Sequence, residues 1–247
     1  MLEKLDRSQY QKLISIAGNH SCGKAYPLAV AQGIQEGDIF AREGGYVFWT
    51  YTGFAYIAGS TDKAFLDDVH SLMTSRDKLR RFVLMTDDEA VFSYFAGKDN
   101  IDIQQRNLYR FAERKDFCLP EGYAIKEMDE AILNKLPGRI VPSLFWASRE
   151  SFLEKGRGYC VIHRENIASW AFSAAVTSEE IDIGVETAEG YKNKGLGKTV
   201  ANQMIKYTLE QNKLPVWACH CTNAGSNRMA QSLGFVISHQ CYFIKSK

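Results

Sequence analysis

The chain has 247 residues, 45% hydrophobic and 24% charged, a globular composition that excludes a fibrous or disordered protein. Thirty Lys and Arg against 29 Asp and Glu leave a net charge of +1, so there is no cationic excess for nonspecific nucleic-acid binding. The opening "MLEKLDRSQYQKL" lacks the apolar core and cleavage site of a signal peptide, and no apolar run is long enough to cross a membrane. The expectation is a cytoplasmic protein, monomer or homodimer, with neither nucleic acid nor membrane as partner.

In chain order, residues 2–16 read as a helix with Leu5, Leu13 and Ile16 inward. Short strands follow at 38–42, 46–52 and 54–59, separated by glycine turns. Residues 62–79 read as a helix with Asp62 as N-cap, 80–86 as a strand, 87–97 as a helix and 104–111 as a strand. "CLPEG" at 118–122 punctuates the chain, dividing an N-terminal α/β domain, 1–119, from a second domain, 120–247.

The second domain opens with a strand at 123–126 and helices at 129–136 and 142–155. Three strands, 159–163, 167–176 and 180–187, are joined by hairpin turns at "HREN" and "TSEE". The glycine-rich "YKNKGLGKTVANQ" then enters a helix running from 198 to about 211, whose Val200, Met204, Ile205 and Leu209 keep helical spacing. A strand at 215–219, a helix at 225–233 and a strand at 235–244 end the chain.

Six scattered cysteines read as reduced, buried thiols. In "CHC", strand alternation sends His220 away from Cys219 and Cys221, and no second ligand pair lies near in sequence, so no metal is expected.

"GLGKT" invites comparison with a nucleotide-binding P-loop. That loop needs glycine where Lys192 stands, and a parallel βαβ context where this chain has hairpins. A different pattern fits. Lys192-x-x-Gly195-x-Gly197 resembles the Q/R-x-x-G-x-G/A loop of the GCN5-related N-acetyltransferases (GNAT). Glycines let the backbone turn tightly and approach an anion, and amides at a helix N-terminus favour a pyrophosphate. The order of meander, loop, helix, strand, helix and strand over 120–247 is similar to that superfamily. So is "LPVWACHCTNAGSNRMAQSLGF", which resembles the P-x-W…N-x-x-S…L-G-F pattern of a bacterial branch with an extra N-terminal domain. Thr187, Tyr191, Lys192, Lys194 and Gly195 match that branch's T-x-x-x-Y-[RK]-x-K-G.

The resemblance implies an α+β fold with a mixed, mostly antiparallel sheet flanked by helices. The first domain reads as a degenerate copy of the same fold. It implies acetyl-CoA as co-substrate, direct transfer to a primary amine of a small molecule, and no metal; the alternative is a noncatalytic acyl-CoA-binding regulator. The cofactor residues it implies are Ile183, Gly184 and Val185 along the pantetheine arm. Thr187, Lys192, Asn193, Lys194, Gly195, Leu196, Gly197 and Lys198 surround the phosphates, and Asn223 and Ser226 begin the last helix.

Glu180, Asp182 and Glu186 share one strand face by alternation. They are candidates for the catalytic base, Asp182 foremost, working through water. The superfamily's usual tyrosine acid falls at Ala230. Cys219, His220, Tyr191 and Tyr242 are its conceivable replacements. The aromatic groups at 48–56 and 144–152 read mostly as core, the second in the region that shapes the acceptor site.

Overall fold

Apolar residues between Gly37 and Gly59 fold into an antiparallel meander in the computed structural model, which describes residues 1–247. The chain divides into two compact units, Met1–Leu108 with His239–Lys247, and Tyr109–Ser238, rather than at 119/120.

The first unit begins with β1 (Glu3–Lys4), a 3-10 helix (Arg7–Leu13), α1 (Ile14–Gly18) and α2 (Ala25–Ala31). The single helix expected over 2–16 is not formed. Glu3 and Lys4 pair with Ala41 and Phe40, and Leu5 donates its N–H to the Ile39 carbonyl. Helical structure starts only after Asp6, whose carboxylate accepts from the Ser8 N–H while the Gln9 side chain accepts from the Asp6 N–H. The meander is β2 (Gly37–Arg42), β3 (Gly45–Thr50) and β4 (Phe54–Gly59), followed by α3 (Lys63–Thr74), β5 (Val83–Thr86) and α4 (Glu89–Ala96). Strand β5 is parallel to β4. Helix α3 stops at Thr74, short of the expected 79, because the charged run after it turns back. Arg80 donates to the carbonyls of Trp49 and Thr50 and pairs with Asp38. Val47, Trp49, Phe65, Val69, Phe82, Leu84 and Phe95 fill this unit's core.

The chain enters the second unit within β6 (Ile101–Phe111). After β7 (Tyr123–Glu127) come α5 (Glu130–Leu133), a 3-10 turn (Pro142–Leu144) and α6 (Arg149–Lys155). The helix expected over 142–155 is broken. Trp146 turns inward to donate its indole N–H to the Ser173 carbonyl, 2.9 Å away, and Ser148 caps a fresh start. Then follow β8 (Gly158–His163), β9 (Asn166–Val176), β10 (Glu180–Thr187), α7 (Leu196–Glu210), β11 (Leu214–His220), α8 (Ala224–Ser232) and β12 (Phe235–Ser246). Strands β7 to β10 are successively antiparallel, and β11 is parallel to β10. The C-terminal part of β12 belongs to the first unit, pairing antiparallel with β5.

Each unit thus holds the same order: three antiparallel strands, a helix, a parallel strand and a helix. The sheets are mixed and mostly antiparallel, with flanking helices. The units differ at the turn into the long helix. In the first, the Asp62 carboxylate caps α3 by accepting from the Phe65 N–H at 2.8 Å. In the second, α7 has no side-chain cap.

Candidate active site

Strands β10 and β11 pair only over Glu180–Asp182 against Leu214–Val216; beyond that register they part. Asp182 stands at the fork, buried, just before an irregularity in the pairing of β10 with β9. Past the fork lies a cleft of about 560 Å³. Val185, Glu186 and Thr187 form its floor, the loop and first turn of α7 one wall, and α8 the other.

The loop wall is shaped by backbone geometry. Asn193 and Gly195 hold left-handed φ of 62° and 80°. A Cβ on Gly195 would meet no atom within 4 Å, so its glycine serves conformation and an open approach. Gly197 is required by packing. A Cβ there would lie 2.9 Å from Met229 Cε and 3.0 Å from Thr187 Oγ1, so its absence lets α7 close against β10 and α8. With α7 uncapped, the N–H groups of residues 194–197 find no acceptor in the chain. Such a turn is a ready anion site. Of the loop lysines, Lys192 pairs with Glu189 at 2.5 Å, and Lys194 lies over the Tyr191 ring. Lys198 lines the cleft.

On the opposite wall, the Asn223 side chain caps α8 by accepting from the Ser226 N–H at 3.0 Å. The Ser226 hydroxyl accepts from the Trp217 indole at 3.1 Å, tying α8 to β11. Asn227 is a hub that the sequence reading missed. Its amide donates to the carbonyls of His220, Cys221 and Asn223, and its oxygen accepts from the Tyr109 hydroxyl and the Cys219 thiol. Gly225, Arg228 and Met229 also line this wall. Their signal in the sequence was only their nearness to Asn223 and Ser226.

The arm residues divide. Val185 lines the cleft, but Ile183 is buried, and a Cβ on Gly184 would meet the Phe172 ring at 2.8 Å. That glycine makes room for an aromatic ring of its own unit. Glu180 and Asp182 lie at the paired end of β10, off the cleft floor.

Glu186 lines the cleft, yet its Oε2 accepts from the Arg139 and Ile140 N–H groups at 2.8 and 2.7 Å. Gly138 packs so closely that a Cβ would collide with Glu186 and Trp170, and the Trp170 indole donates to the Ile140 carbonyl at 2.8 Å. Glu186 and Trp170 therefore strap the 138–140 loop to the sheet.

Ala230, at the place of the superfamily tyrosine, is fully buried. Among the alternatives, Tyr191 lines the cleft with its hydroxyl 3.4 Å from His163 Nδ1. Tyr242 lies in the first unit, where its hydroxyl donates to Glu89 and its ring stacks on Phe92. Cys219 is buried and His220 half-buried on β11, in keeping with alternation, and no cluster of metal-ligating side chains forms.

A GNAT acetyltransferase family profile matches residues 25–243. The uncharacterized N-acetyltransferase YdfB of Bacillus subtilis strain 168 is 24% identical over 248 residues, covering 95% of each chain. A GCN5-related N-acetyltransferase-like protein from Streptococcus suis has the same fold, with a TM-score of 0.74 at 21% identity over 97% of this chain and 99% of that one. A tandem GNAT protein from the clavulanic acid biosynthesis pathway superposes with a TM-score of 0.65 at 12% identity, over 100% and 98% of the two chains. With a profile that spans both units and a forked sheet beside an uncapped glycine turn, the chain belongs to the GNAT acetyltransferase family.

Proposed function

We propose that this acetyltransferase uses acetyl-CoA and acetylates the primary amine of a small molecule by direct transfer. The observation that carries the reading is the cleft where β10 and β11 part, walled by unpaired N–H groups at the uncapped start of α7.

In this reading the N–H groups of 194–197, with Lys198, hold the pyrophosphate. The exposed edge of β10 at Val185 holds the pantetheine, whose thioester supplies the acetyl group near the fork. Asp182, at the fork, takes the first proton from the amine through water, and Glu180 extends the same acidic strand face. Glu186 serves differently: with its carboxylate committed to two backbone N–H groups, it positions the loop rather than moving protons. As the amine nitrogen bonds to the carbonyl carbon and the C–S bond breaks, the nitrogen's surplus proton passes to the departing thiolate. No side-chain acid is then needed where Ala230 replaces tyrosine.

The neutral net charge favours a small acceptor over a polyanionic one. The test supplies acetyl-CoA with panels of small amines and peptides and follows thiol release. Small-amine-dependent release is expected; release with peptide acceptors alone would overturn the acceptor class.

A further inference from the structure

The two walls of the cleft carry different charge. The loop wall has consecutive free N–H groups and Lys198, while its other lysines are engaged, Lys192 by Glu189 and Lys194 by the Tyr191 ring. The helix wall has a single charge, Arg228. It is exposed, it lines the cleft, and no carboxylate of the chain pairs with it. It follows Asn227, the hub that fixes α8 to the end of β11, and precedes Met229, which packs against the first turn of α7. A rigid helix therefore presents this guanidinium across from the phosphate loop.

Resting on the acetyl-CoA reading, we propose that Arg228 determines specificity for the 3′-phosphate of the cofactor. The assignment follows from charge and geometry. The pyrophosphate is an internal diester-like group that the loop's N–H groups match. The 3′-phosphate is a terminal monoester bearing nearly two charges, and a planar guanidinium grips such a group with two parallel hydrogen bonds. Arg228 is the only charge on the wall facing the loop. The chain then distinguishes coenzyme A from its dephospho form through that one guanidinium.

The experiment titrates the full chain and its Arg228→Gln variant with coenzyme A and with dephospho-coenzyme A at fixed salt. The unaltered chain should prefer coenzyme A by roughly 10- to 100-fold, the range for a hydrogen-bonded charge pair. Arg228→Gln should abolish that preference while leaving affinity for the dephospho form unchanged, and Arg228→Lys should restore part of it. An unchanged preference in Arg228→Gln overturns the assignment, and equal weakening of both ligands also overturns it by moving Arg228 to the pyrophosphate. Failure of the unaltered chain to bind either compound would instead overturn the acetyl-CoA reading, and this assignment with it. Arg228 is exposed and unpaired, so the variant should keep the circular dichroism of the parent.

Discussion

Replacing Glu186 separates two roles for one carboxylate. Its Oε2 holds the Arg139 and Ile140 N–H groups at 2.8 and 2.7 Å. A hydrogen bond to a charged group contributes about 1.5–3 kcal/mol, and a neutral acceptor roughly half as much. The side chain is only half-buried, so water reaches the freed N–H groups and the lower figure applies to each. Glu186→Ala should then loosen the 138–140 strap by about 3 kcal/mol at most, with the Trp170 bond to the Ile140 carbonyl still in place. Glu186→Gln keeps an oxygen acceptor and should cost about half of that. Hydrogen exchange at the Arg139 and Ile140 amides measures the strap directly. Protection should fall by about 100-fold in the alanine variant and about tenfold in the glutamine variant. Activity toward the acceptor should follow the same order, with KM rising more than kcat falls. If Glu186→Gln is as inactive as Glu186→Ala while exchange at 139 and 140 stays at the parent level, the carboxylate is a base and the strap argument is wrong.

Gly197→Val should destabilise by about 1–3 kcal/mol through overpacking against Met229 and Thr187, with partial rescue in a Gly197→Val, Met229→Ala double variant by thermal unfolding. Asp182→Asn should lower kcat by about 100-fold or more, with acetyl-CoA binding unchanged by calorimetry; an unaltered kcat would remove Asp182 as base. Burial pushes the Asp38 carboxyl up, but Lys4 and Arg80 outweigh it and leave its pKa below the ordinary 3.8. A depressed folded pKa means that this carboxylate's stabilisation is complete above 3.8 and fades as pH falls through and below that value. Asp38→Asn should therefore reduce stability at neutral pH and flatten the loss that sets in as pH falls below about 4, read from urea midpoints across pH.

Where the periodicity of one element carried the information, the sequence was readable. The meanders, α7 with its one apolar face, and the turn at Gly195 all lie close to their expected places. Helix α2 was missed because six of its seven residues are buried, leaving no polar face to mark a helical period. The break before α6 comes from the long-range bond of Trp146 to Ser173, which no local propensity encodes. Long-range order also explains the unit boundaries. The end of β12 pairs with β5, more than 150 residues away in sequence, so "CLPEG" punctuates the chain without bounding a unit. At the site, the glycine turn is a local motif and was legible. Asn227 and the commitment of Glu186 to 139 and 140 depend on partners that only the fold brings near.

Calorimetric titration of the full chain with acetyl-CoA, run beside Mg-ATP, decides which ligand the loop at Gly195 takes. Acetyl-CoA should bind at one equivalent per chain, since the Asp62 carboxylate already occupies the helix start in the first unit. Mg-ATP should give no response, and acetyl-CoA binding should be lost in Gly195→Val, where a branched side chain cannot hold φ near 80°. Binding of Mg-ATP without any response to acetyl-CoA would overturn the acetyl-CoA reading and make the loop at Gly195 a nucleotide site instead.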